Sequence, residues 1–176
     1  MMFYADSYDG TSGYSKVGRE LAKRLAQDDR FDIYYQELVT RKPISVIDNI
    51  KVLPAMFHRG TPEFVTMLIH HLKIFGPQVF FPICDTFLLE RDGVSKIEFK
   101  NVSVIPYIMI DSYNLPDGAE NILSKADKIL SGSKHGIDTI NSAGFNSEIL
   151  WHGVDMDLYK PVTSKEMIEI RRQLNN

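Results

Sequence analysis

The chain has one cysteine, Cys84, in 176 residues. A lone cysteine can neither close an internal disulfide nor build a cysteine-based metal site, and it fits a reducing compartment. No run of Lys and Arg occurs and the net charge is -3. Recognition of a phosphate backbone needs a clustered basic face, so no nucleic-acid partner is expected. No apolar run is long enough to span a bilayer, and Asp6 interrupts the N-terminus before a leader's apolar core can form. The expected location is therefore the cytoplasm.

Several familiar constellations are also missing. A Walker loop ends in Gly-Lys-Ser/Thr, whereas Lys16 is followed by Val17 and has no Gly before it. Gly10, Gly13 and Gly18 do not have the Gly-x-Gly-x-x-Gly spacing of a dinucleotide fingerprint. No Ser-His-Asp arrangement is visible. His70 and His71 are adjacent on an expected helix and so point apart, and His58 is isolated, so no metal site and no metal cofactor are expected.

What is present is a soluble-type composition, 44% hydrophobic and 24% charged, and a length sufficient for one full core. Met1 to Ala5 reads as a first strand. A small-residue loop, Asp9 to Gly18, leads into a helix over 15–27, where Val17, Leu21 and Leu25 form an apolar stripe that excludes Arg19, Lys23 and Arg24. Strands follow at 31–38 and, more weakly, at 50–53. Thr61-Pro62 opens a helix over 63–75 that Gly76-Pro77 stops. That helix is apolar around most of its circumference. It reads either as packed between a sheet and a neighbouring helix, or as exposed to a lipid-linked acceptor or a membrane surface.

Residues 78–83 form a continuous apolar strand ending at Cys84 and Asp85, as expected where both sheet faces are covered. Residues 86–101 fit a small hairpin or a short helix equally well. The run 102–110 reads as one strand with an edge or bulge at Pro106, ending at Asp111. A helix over 116–126, a strand over 128–130, a helix over 133–143 closed by Gly144 and a strand over 148–151 complete the series. This alternation predicts an α/β fold: a Rossmann-like, mostly parallel sheet with helices on both faces. After Trp151 the character changes to an extended connection, followed by a charged helix over 165–174 capped by Ser164. The chain is expected to hold one domain over 1–161, with 162–176 as a linker and the first helix of a second domain absent from the sequence.

In open α/β sheets, ligands bind beyond the carboxyl ends of the strands. The residues there are Asp9 to Tyr14 after the first strand (with Gly10, Thr11, Ser12 and Gly13), then Cys84 and Asp85, Asp111 to Asn114, Ser131 to His135 (with Ser133), and His152 to Asp155. The opening loop reads equally as a ligand contact and as a tight connection, because backbone N–H groups at a helix start can face an anion. Asp111 either orients a substrate hydroxyl or caps a turn. Ser133 reads as an N-cap before it reads as a nucleophile.

Two segments resemble one family. They are Gly10-Thr11-Ser12-Gly13-Tyr14-Ser15 with the helix after it, and the run from Tyr107 to Pro161, including Ala126-Asp127, Ser133, Gly144, His152-Gly153-Val154-Asp155 and Leu158-Tyr159-Lys160-Pro161. The second segment is similar to the end of the N-terminal domain of GT-B glycosyltransferases of the glycogen synthase and mannosyltransferase group. His152 and Tyr159 depart from the usual Asn-Gly-Val-Asp and Phe-x-Pro. The resemblance implies the N-terminal half of a GT-B fold, facing a missing C-terminal domain that holds most of a nucleotide-sugar donor. It implies a retaining hexosyltransferase, inactive as this isolated domain, using a sugar, lipid or protein acceptor, with no cofactor beyond the donor. Amides of Gly13 and Tyr14 would then help hold the donor diphosphate, and Asp111 would face the sugar as the catalytic-site carboxylate. Gly10, Thr11, Ser12, Asp85, Ser133 and His152 would line the donor or acceptor site, and Gly153 and Asp155 would shape a hinge. A non-catalytic nucleotide- or partner-binding module is the alternative. An epimerase of the same architecture fits less well, since its acidic and histidine catalytic set is not evident.

Overall fold

The computed structural model describes residues 1–38, 43–157 and 159–174. Leu158, part of the connection picked out above, lies outside the described residues. The first strand, β1 (Met2–Ala5), is buried along its whole length, with Met2 and Tyr4 in one core and Phe3 and Ala5 in the other. Alternate side chains of a strand point to opposite faces, so two cores on one strand mean a sheet covered on both sides. Helix α1 (Gly13–Leu25) covers one face through Val17, Leu21, Ala22 and Leu25. Helices α2 (Pro62–Phe75) and α3 (Thr86–Arg91) cover the other through Phe64, Met67, Leu68 and Leu89.

Strands β2 (Tyr34–Glu37), β3 (Ser45–Ile47), β4 (Ile50–Leu53), β5 (Val79–Pro82) and β6 (Ser103–Val104) join β1 in a six-stranded sheet of order β3-β4-β2-β1-β5-β6. All its pairs are parallel except β3 with β4. The antiparallel β3 is absent from the sequence reading. It is short, and its hairpin turns on Asp48 and Asn49, with φ of 53° and 62°, rather than on the more recognisable Asn-Gly.

The strand expected over 102–110 is instead two strands. Pro106 supplies no N–H, and the ladder breaks there: β6 pairs with β5, whereas β7 (Tyr107–Ile108) starts a second parallel sheet with β8 (Ile129–Ser131) and β9 (Ser147–Ile149). A bridge between Ile83 and Tyr107 joins the two sheets. Residues 86–101 hold α3 and a single 3-10 turn, Val94–Lys96, and no hairpin. The helix expected over 116–126 is reduced to α4 (Ala119–Leu123), because its start is set by Gly118 at φ 81°. Helix α5 (Lys134–Ser142) starts from Ser133 and is followed by Gly144 at φ 91°. The last helix, α6 (Ser164–Leu174), has no buried residue. Its cap is Thr163 and not Ser164: Thr163 Oγ1 accepts the Glu166 N–H at 3.3 Å while Glu166 accepts the Thr163 N–H at 2.8 Å, a capping box.

Helix α2 turns its apolar side onto the sheet and leaves Ile74 as its exposed large apolar residue. His71 lies on the buried side. Its Nδ1 donates to Gln36 Oε1 at 2.6 Å, since the Gln36 amide nitrogen is already directed at the carbonyls of Glu37 and Leu53. Burial, with His70 as the lesser cause, holds the His71 pKa below its ordinary 6.5. The unfolded chain therefore binds the proton more readily than the folded one. This contribution to stability is complete above the ordinary value and is lost as pH falls through it towards the folded value. The urea midpoint is expected to drop between about pH 7.5 and 5.5, and His71→Gln should flatten that drop.

Candidate functional site

Strands β5 and β2 lie on opposite sides of β1. From the end of β1 the chain passes to α1 on one face, and from the end of β5 it passes to α3 on the other. The two connections diverge at the carboxyl edge of the sheet, which is where a doubly wound sheet forms its crevice. This is the topological switch point, where doubly wound sheets bind ligands. Two of the segments singled out from the sequence, Gly10 to Tyr14 and Cys84-Asp85, meet here.

The opening loop is rigidly built. Ser12 is the N-cap of α1: its hydroxyl accepts the Ser15 N–H at 3.0 Å and donates to Asp6 Oδ2 at 2.6 Å. A Cβ on Gly10 would come within 2.4 Å of Ser15 Oγ, so glycine there is a packing requirement. Gly13 is different. It is exposed, it does not occupy the left-handed region, and a Cβ on it would meet nothing within 4 Å. With the Ser15 and Lys16 N–H groups both taken by Ser12, the first-turn donors left at the positive end of the helix dipole are those of Gly13 and Tyr14. Arg19 Nη1 reaches back to the carbonyls of Tyr8 at 2.8 Å and Gly10 at 3.2 Å. Sequence reasoning missed this role, because a charged residue outside an apolar stripe reads as solvated.

Tyr14 spans the crevice. Its hydroxyl donates to Asp85 Oδ1 at 2.5 Å. Asp85 occupies the N-cap position of α3 yet makes no side-chain cap there, so its carboxylate is directed to the crevice instead of its own helix. Burial above all, then the bond to Asp85 and the charges of Asp85, Cys84 and Asp111, push the Tyr14 phenol far above its usual range. Tyr14 is thus a neutral donor at physiological pH. Asp111 is exposed in the segment that follows β7. The start of α1 offers amide donors suited to an anion, and the Asp85 carboxylate across from it accepts from hydroxyl groups. Burial likewise pushes the Cys84 thiol up, which leaves it an inert core residue.

The remaining expected residues fall elsewhere or have other work. Thr11 is exposed on the loop. The Ser133 hydroxyl accepts the Gly136 N–H at 3.0 Å and caps α5. His135, on that helix, donates from Nε2 to the Ser112 carbonyl at 2.9 Å and so fixes the turn after Asp111. His152, Gly153 and Asp155 line a separate groove of about 620 Å³, between α1 and the extended connection, with Lys16 and Arg24 on its wall. His152 stands edge-on to the Tyr107 ring, whose hydroxyl donates to the Leu150 carbonyl at 2.6 Å. Among the described residues there is no group of three or more His, Cys, Asp or Glu able to hold a metal ion, and no helix long and apolar enough to cross a membrane.

No protein-family model matches the chain, and no curated protein matches it in sequence. Solved structures do. Sucrose-phosphate synthase from Thermosynechococcus elongatus superposes with a TM-score of 0.71 at 14% identity, over 99% of this chain and 52% of that one. A second structure of the same synthase gives 0.61 at 14% identity, over 100% of this chain and 99% of that one. The chain thus spans about half the length of the first synthase structure, and at this identity the likeness concerns the fold: a Rossmann-like α/β half-domain of the GT-B type.

Proposed function

We propose that this chain is the acceptor-side half of a glycosyltransferase that moves a sugar from a nucleotide-sugar donor to a sugar, lipid or protein acceptor, with retention. The observation that carries the reading is the meeting of the glycine loop and the end of β5 at the switch point, where the Tyr14 hydroxyl at the start of α1 bonds to Asp85. The likeness to a synthase of the glycosyltransferase class supports it. In the transfer, the bond between the sugar's anomeric carbon and the diphosphate breaks, and the acceptor oxygen bonds to that carbon. The acceptor proton passes to the departing diphosphate. The amides of α1 stabilise the charge that grows on the diphosphate, and they need no reorganisation because the loop is already fixed. Asp111 and Asp85 orient sugar hydroxyls. Residues 162–176 lead into a donor-binding domain outside this sequence, and that domain supplies the cations that complete the phosphate site.

The test is a titration of the complete gene product with UDP, GDP and their glucose and mannose conjugates, followed by assays for sugar transfer. Saturable binding of one nucleotide series, with transfer to an added acceptor, is the expected result. Absence of binding across all of them would remove this reading.

A further inference from the structure

The glycine loop is held by more than its own turn. Tyr8, immediately before it, is 3% exposed, and each of its polar groups is bonded to a different element. Its N–H donates to Glu37 Oε1 at the end of β2, at 2.7 Å. Its carbonyl accepts from Arg19 of α1 at 2.8 Å. Its hydroxyl donates at 3.0 Å to Asp48 Oδ2, in the turn of the β3–β4 hairpin, and its ring stands edge-on to Tyr35 at 5.1 Å. Asp48 is in turn paired with Lys23 of α1 at 3.0 Å. The left-handed turn at Asp48-Asn49 is the tight connection that this hairpin requires, so the position of Asp48 is fixed by strand pairing.

From this we propose that the β3–β4 hairpin sets the geometry of the glycine loop through the Asp48–Tyr8 contact. Tyr8 and Asp48 are then positioning residues for the anion held at Gly13 and Tyr14. The proposal rests on the functional reading above only for the identity of that anion. Neither residue supplies a group of the crevice wall described above. Both act by holding Gly10 to Tyr14 in one conformation before the ligand arrives, which removes an ordering cost that binding would otherwise carry. The edge of the sheet, remote in sequence from the loop, is thereby coupled to the loop's conformation.

Amide hydrogen exchange on the complete gene product tests the coupling without any ligand. Tyr8→Phe keeps the ring packing and removes the bond to Asp48, so exchange at Tyr8 and Gly10 is expected to quicken about three- to tenfold, the worth of one hydrogen bond, while β1 and β5 stay unchanged. Asp48→Asn retains an acceptor for the Tyr8 hydroxyl and should leave the loop close to its original rate, whereas Asp48→Ala should match Tyr8→Phe. Loop exchange unchanged in both Tyr8→Phe and Asp48→Ala would overturn the proposal, as would quickening spread evenly over the chain. Titration of the same variants with UDP and GDP is scored separately. If the unaltered protein binds neither nucleotide, the functional reading fails and the exchange data still decide the positioning role.

Discussion

Asp92→Ala is expected to lower the unfolding free energy by about 3–5 kcal/mol, the range found when one partner of a buried ion pair is removed. Asp92 has no exposed surface. Its Oδ2 accepts from Arg59 Nε at 2.7 Å and lies 2.5 Å from Arg59 Nη2, and it also accepts from the Tyr4 hydroxyl at 3.1 Å. Arg91, on its other oxygen at 3.3 Å, is largely exposed and cannot compensate. Without Asp92 the Arg59 guanidinium, 16% exposed, and the Tyr4 hydroxyl lose their charged acceptor inside the core. The double variant Arg59→Met, Asp92→Leu removes both charges at once and should lose clearly less than Asp92→Ala alone. Urea unfolding of the three proteins measures the difference, and a loss below about 1 kcal/mol for Asp92→Ala would mean that the pair is solvated. The pair also matters for the crevice: Arg59 belongs to the connection after β4 and Asp92 follows α3, the helix that Asp85 precedes.

The elements that read clearly from sequence are those whose burial is uniform along their length. β1 and β5 appear as unbroken apolar runs because both their faces are covered, and α1 shows a clean stripe because a single sheet face receives it. Pro106 signalled an interruption, but sequence alone does not show that the chain changes sheets there, since that depends on which neighbour supplies the next N–H. The hairpin strand Ser45–Ile47 was hidden by its exposure: an edge strand with Val46 at the surface has no alternation to detect. The site divides in the same way. Gly10 to Tyr14, Asp85 and Asp111 are candidates by one rule, that residues beyond the carboxyl ends of strands are where ligands bind. The Tyr14–Asp85 bond joins residues 71 apart in sequence, and only the strand order brings them together. Tyr8 and Arg19 had no sequence signal, since a buried tyrosine and a helical arginine have many ordinary uses.

The sharpest separation of site from scaffold comes from Gly13→Val. The structure gives the fold no reason for glycine at that position: the backbone there is accessible to any residue, and a Cβ projects into open space. Replacing glycine where the new residue meets no strain reduces the freedom of the unfolded chain, so stability should hold or rise by about 0.4–1 kcal/mol. The β-branched side chain takes back some of that through its poorer helix propensity, which is a small correction at the first turn. Function should move the other way. Under the proposed function, the valine methyl groups would stand between a diphosphate and the Gly13 and Tyr14 amides, and the anion would be kept from those donors. In enzymes that use such donors, removal of one costs about 10²–10³-fold in turnover, so a fall in kcat/KM of at least about 10²-fold is expected for the complete gene product. Gly10→Val is the contrasting control, since its Cβ meets Ser15 Oγ at 2.4 Å and should disturb the loop and the stability together. Thermal unfolding and steady-state transfer rates, measured on both variants, distinguish the two cases. An unaltered transfer rate in Gly13→Val would show that the anion binds elsewhere, with the opening loop serving only as a tight connection between β1 and α1.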